Sequence, residues 1–143
     1  MIAPDDARLL LRGAGLRVTR PRVGVLRAVS RHPHEDTDAI IDAVRIDIGD
    51  VSGQAVYDVL RTLTTAGLLR RIQPPGSLAR YEFDLKDNHH HLVCRSCGAM
   101  TDVECPVGET PCLTPPDDHG YEIDEAEVFY QGICPRCSGA SDA

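Results

Sequence analysis

Two matched CxxC pairs constrain this chain more than any other feature: CRSC at Cys94 and Cys97, and CPRC at Cys134 and Cys137. Each pair presents two thiols from one tight turn, and two such turns supply the four sulfurs of a tetrahedral Zn²⁺ site. Thirty-six residues lie between the pairs, more than in a free-standing zinc ribbon. A shared cation would therefore clamp the two ends of a subdomain, where closing a long loop gains most. The competing reading is two redox-active dithiols. The compartment bears on the choice. No apolar run approaches bilayer length, and the start, MIAPDDARLLLRGAG, lacks the basic head and apolar stretch of a signal peptide. A cytoplasmic chain without a membrane partner is expected, and thiols kept reduced there point to metal. With 4% aromatic residues and no tryptophan, a small domain has reason to use such a staple.

Charge divides the chain. Residues 1–80 carry 12 arginines against 9 acidic residues, whereas residues 81–143 carry 3 basic against 13 acidic, for a net −7 overall. The first part suits phosphate, the second cations. Helical periodicity and its breakers predict four helices in the first part. One opens at Asp5 or Asp6 and stops at Gly13; one starts near Pro21 with Val25, Leu26 and Val29 inward. A third, after His34, carries Ile40, Ile41, Val44 and Ile48 and ends at Gly49; the fourth is capped by Ser52, with Val56, Val59, Leu60 and Leu63 on one face. LLRRIQ and ARYEF, joined by PPGSL, read as a hairpin. Four helices followed by a hairpin predict a winged helix-turn-helix over residues 1–83. A hinge follows at residues 84–88, then a small α/β domain over residues 89–143 built on HHLVC, GAMTDVEC and EAEVFYQGIC, so the fold class is α+β.

In such a fold the fourth helix reads DNA. Gln54, Tyr57 and Arg61 can line its exposed stripe, Gln for adenine, Tyr against a thymine methyl, Arg for guanine or phosphate. Arg12, Arg17, Arg20, Arg22, Arg70 and Arg71 are flanking phosphate candidates. The triplet His89, His90, His91 lies between Glu82 and Asp102. On a strand, alternation sends His89 and His91 to one face and His90 to the other. Imidazole with carboxylate suits Fe²⁺, Mn²⁺, Ni²⁺ or Zn²⁺ without choosing among them. Cys105 and Cys112, seven apart around prolines, are open to three readings: a redox switch, extra metal ligands, or small buried apolar groups. No nucleophile, general base and oxyanion donors can be assembled, so an enzyme is not expected; a CxxC thiol oxidoreductase is the alternative from another class.

These motifs together resemble the ferric uptake regulator family over nearly the whole chain. GLRVTRPRVGVLRAV is similar to the family's opening helix, VSGQAVYDVLRTLTTAGLL to its recognition helix, and NHHHLVCRSCG with ICPRC to its histidine and zinc signature. HPHEDTDAI, QAVYDVL and VGETPCL bring it nearest to actinobacterial repressors of catalase or catalase-peroxidase genes. The resemblance implies a homodimeric, metal-dependent repressor of a double-stranded operator, with a dimerisation and sensing domain at the C-terminus. It implies structural Zn²⁺ at the four CxxC cysteines, and a regulatory Fe²⁺ or Mn²⁺ at His34, Glu82, His89, His91 and Asp102. Aspartate at Asp102 is the peroxide-sensor type, so hydrogen peroxide is the implied signal and His34 and His89 the implied oxidation targets. An iron- or zinc-uptake regulator is the alternative within the family. Ala55, Asp58 and Pro21 depart from common family residues. Asn88 and Ala126 stand where histidines are often found, which leaves the accessory metal site incomplete.

Overall fold

The computed structural model describes residues 1–87, 89–107 and 111–139, in two compact units, Met1–Leu85 and Lys86–Ala143. The N-terminal unit holds four helices: α1 Pro4–Gly13, α2 Arg20–Arg31, α3 Thr37–Ile48 and α4 Gly53–Thr65. Local chemistry sets their starts. Pro4 opens α1 with Asp5 and Asp6 in the first turn, where they complement the helix dipole. The side chains of Thr19, Asp36 and Ser52 cap α2, α3 and α4 by accepting from the backbone N–H of Arg22, Ala39 and Ala55 at 3.3, 2.9 and 3.0 Å.

The helices share one apolar core. Val56, Val59, Leu60 and Leu63 of α4 meet Val25, Leu26 and Val29 of α2, with Ile40 and Val44 of α3 and Leu11 of α1. Gly24 lets α2 and α3 come close: a Cβ there would lie 3.3 Å from side-chain atoms of both Val44 and Ile48. The predicted hairpin is β2 Leu69–Ile72 and β3 Arg80–Phe83, antiparallel with Leu69 opposite Phe83. A two-residue strand not foreseen in the sequence, β1 Glu35–Asp36, completes the order β1-β3-β2. The α+β class and the winged arrangement expected from the sequence are thus what the structure has.

The C-terminal unit is a three-stranded sheet of order β5-β4-β6, from β4 His89–Cys94, β5 Met100–Glu104 and β6 Phe129–Gly132. β4 pairs antiparallel with β5, His91 opposite Asp102, and parallel with β6, His91 beside Phe129. β6 is shorter than the alternation of EAEVFYQGIC suggests, and a one-turn helix, α5 Pro135–Ser138, follows Cys134. Among its described residues the buried side chains are His90, His91 and Cys94, and none belongs to the apolar cluster of the other unit. A sheet with so little oil inside needs another source of cohesion.

Candidate metal centres and nucleic-acid face

The four CxxC cysteines meet at one end of the C-terminal sheet. Cys94 closes β4, Cys97 follows in the turn, Cys134 stands at the start of α5 and Cys137 lies within it. Their sulfurs all lie within 4.8 Å of one another, Cys97 and Cys134 at 3.8 Å. The backbone N–H groups of Cys97 and Cys134 donate to the Cys94 sulfur at 3.5 and 3.3 Å. These N–H groups hold its thiol down at about 6, because a hydrogen bond to the charged form favours ionisation. Cys134 is lowered too, first by the backbone of Cys137. Cys137 is pushed up to about 11: a hydrogen bond with Ser96 lowers it, but bonds to the sulfurs of Cys134 and Cys97 outweigh that. Four sulfurs this close ionise together only around a cation. The donor set fits Zn²⁺, and a cation there would add the cohesion that the scant apolar burial does not supply.

The histidine triplet divides as alternation predicts. On one face the His89 and His91 rings stand 5.0 Å apart, edge to face, and His91 is stacked on Phe129. Asp102 Oδ1 lies 3.3 Å from His91 Nε2 and 3.7 Å from His89 Nε2. The Asp87 carboxylate, 2.6 Å from His89 Nδ1, can only accept, so that nitrogen carries the proton. Nε2, on the far side of the ring and 3.7 Å from Asp102, is the nitrogen left to serve a metal, the arrangement in which a carboxylate orients a ligating ring from behind. This face offers two imidazoles and one carboxylate to a hard or borderline divalent cation. On the opposite face, His90 Nδ1 accepts from the Val128 backbone N–H at 3.2 Å, and Nε2 lies 3.2 Å from Cys112 Sγ. Cys112 is raised above its ordinary thiol value, by burial first and then by Cys105.

The N-terminal unit holds a second, smaller donor pair. His34 Nε2 lies 2.9 Å from the Glu82 carboxylate, and Glu82 is buried on β3. His34 adopts φ 70°, which a side chain rarely accepts without support. Support comes from its N–H donating to Tyr81 O at 2.9 Å, and from Arg80 donating to its carbonyl at 3.3 Å.

On the nucleic-acid side, Tyr57 is 47% exposed and the Arg61 side chain more so, both pointing off α4. Gln54 donates to Asp58 Oδ1 at 3.0 Å, and Arg61 lies 4.0 Å from the same oxygen. The spacing of Asp58, i+4 from Gln54 and i−3 from Arg61, is the sequence signal that marks this shared contact, which its reading as a family departure alone misses. Arg17 is exposed, whereas Arg20 donates to Ile48 O at 2.9 Å and Arg22 to Arg17 O at 2.8 Å. Each of these two braces the backbone with part of its guanidinium.

A model of the Ferric uptake regulator family matches residues 13–137. The chain belongs to the ferric uptake regulator family. It is 64% identical over 135 residues to the transcriptional regulator FurA of Mycobacterium tuberculosis, covering 94% of this chain and 91% of that protein. It is 59% identical to ferric uptake regulation protein 2 of Mycolicibacterium fortuitum, covering 98% of each. Its fold matches the ferric uptake regulator from Francisella tularensis, solved with iron, with a TM-score of 0.70 at 21% identity over 87% of this chain and 96% of that one. It is therefore a metal-dependent transcriptional regulator of this family.

Proposed function

We propose that this regulator is a dimeric repressor that grips its operator only when one cation takes ligands from both units. The observation that carries the reading is that each unit presents an incomplete donor set of matching chemistry. The N-terminal unit brings one imidazole and one carboxylate, His34 and Glu82; the C-terminal unit brings two imidazoles and one carboxylate, His89, His91 and Asp102. Neither set alone saturates a divalent ion. A shared ion would fix the angle between units, so that the α4 helices of a dimer reach successive major grooves about one turn apart. Exposed Leu92 and Tyr130, neighbours on β4 and β6, offer an apolar face for the second chain.

The imidazole and carboxylate donors suit Fe²⁺ and Mn²⁺ alike; peroxide sensing needs the redox-active Fe²⁺. Bound Fe²⁺ supplies reactivity toward peroxide at its own ligands, which makes His34 and His89 the oxidation candidates. Asp102 in place of glutamate supports a peroxide response and hence control of a catalase or catalase-peroxidase gene. The name of the Mycolicibacterium relative favours a second reading, regulation of iron uptake.

The test begins with protein stripped of the regulatory ion but retaining zinc. Its operator affinity should fall at least tenfold and return on adding Mn²⁺; equal affinity in both forms overturns the shared-ion reading. Peroxide applied to the Fe²⁺ and Mn²⁺ forms then separates the two roles. A 16 Da gain on His34 or His89 with iron only, together with lost operator binding, supports sensing. Unchanged binding supports uptake control.

A further inference from the structure

Cys105, Cys112 and His90 form a cluster that neither the zinc tetrad nor the histidine face uses. Cys105 immediately follows β5, and its sulfur, the Cys112 sulfur and a His90 ring nitrogen all lie within 4.8 Å of one another. Three such donors first suggest a thiophilic cation. The hydrogen bonds of His90 argue otherwise. The Val128 N–H can only donate, so Nδ1 of the neutral ring is an acceptor and the proton sits on Nε2, 3.2 Å from the Cys112 sulfur. That nitrogen has no lone pair to give a metal. A ligating histidine shows the reverse pattern, donating from its second nitrogen, as His89 does toward Asp87. What is left is a dithiol with an N–H donor aimed at one of its sulfurs.

We propose that Cys105 and Cys112 are an oxidative modification site, closing to a reversible disulfide when the protein meets hydrogen peroxide. The ionised sulfur of the pair attacks one peroxide oxygen; an S–O bond forms, the O–O bond breaks and hydroxide leaves, taking up the released proton as water. The second sulfur then attacks the first, the S–S bond forms, the S–O bond breaks, and the departing hydroxide leaves as water with the second thiol's proton. Two thiols lose two electrons and two protons, and one peroxide becomes two waters. On reduction, the His90 N–H stabilises the negative charge returning to Cys112. Both residues are half-buried, so peroxide reaches them while larger oxidants are hindered. The tetrad thiols are spared while zinc holds them.

The experiment uses the full, zinc-loaded chain in the presence of an iron chelator, so that it is independent of the regulatory ion. After peroxide, intact mass should fall by 2 Da with one zinc retained, and peptide mapping should find Cys105 joined to Cys112. A reductant should restore the mass. Cys112→Ser should instead trap a sulfenic acid on Cys105, seen as a 16 Da gain or a dimedone adduct. Three results overturn the proposal: both thiols still alkylated after peroxide; the same 2 Da loss in Cys105→Ser with zinc released; or a second equivalent of added Zn²⁺ or Cu⁺ retained per chain and lost in Cys112→Ser. The mapping on unmodified chain stands even where a variant fails to fold. A parallel run on the Fe²⁺ form without chelator separates the two readings: if a histidine gains 16 Da there while both thiols stay alkylated in both runs, the first of these results, this site falls and the sensing role stands.

Discussion

Protons report on the cysteine tetrad. Cys94 is held at about 6 against an ordinary 9.0, so its contribution to the folded state is complete above about 9, shrinks as pH falls, and is lost below about 6. The zinc-free C-terminal unit should gain thermal stability between pH 6 and 9, followed by calorimetry. Cys137 keeps its proton to about 11, so zinc binding near neutral pH must expel at least one proton. Calorimetry in buffers of different ionisation heat measures that number, and zero would contradict the arrangement. On α4, Asp58 tethers Gln54 and crowds Arg61 with negative charge. Asp58→Asn should tighten DNA binding, by about 0.5 kcal/mol per tether for groups this exposed, with part of the gain on non-operator DNA. At this scale the four cysteines were legible because CxxC spacing is itself a geometry. His34 was not: nothing in its neighbourhood marks it as a ligand, and only the family resemblance pointed there. The grouping of His90 with Cys105 and Cys112 was hidden as well, since it depends on which way a strand turns its side chains and on where a loop returns.

Elements were read best where the chain carries chemical punctuation. Helices α2, α3 and α4 begin where a Thr, Asp or Ser oxygen is available to their first turn, and the sequence shows the cap of α4 openly. Strand β1 and helix α5, two and four residues long, are too short to carry any periodicity; pairing with β3 makes the one, and Pro135 after Cys134 starts the other. The caps carry function too. Ser52→Ala should cost about 1 kcal/mol of stability in thermal melts. The loosened turn holds Gln54, so operator affinity should fall more than affinity for random DNA. An equal loss on both would mean that Gln54 does not read sequence.

Across the molecule, cohesion is uneven. The N-terminal unit has an aliphatic core contributed by all four of its helices, while the C-terminal sheet buries two histidines and a cysteine. On the proposed reading the second unit therefore depends on what binds it: a cation at the four cysteines at one end, and a second chain over Leu92 and Tyr130. Leu92→Glu places a carboxylate in the middle of that apolar face. It should shift sedimentation from dimer to monomer and abolish operator binding while leaving melting of the N-terminal unit unchanged. The charge asymmetry between the two parts of the chain is consistent with assigning phosphate to one and cations to the other. It could not foretell how little the second unit would bury.

Strand β4 starts at His89 and finishes at Cys94, so one six-residue rod carries proposed ligands of the regulatory ion at its head and a tetrad sulfur at its tail. Occupancy at the two ends is then thermodynamically reciprocal. Filling the histidine end with Mn²⁺ should slow the escape of zinc to a chelator, and draining zinc should weaken Mn²⁺ retention by the same factor. A cell starved of zinc would, through this rod, register a shortage of the other metal as well.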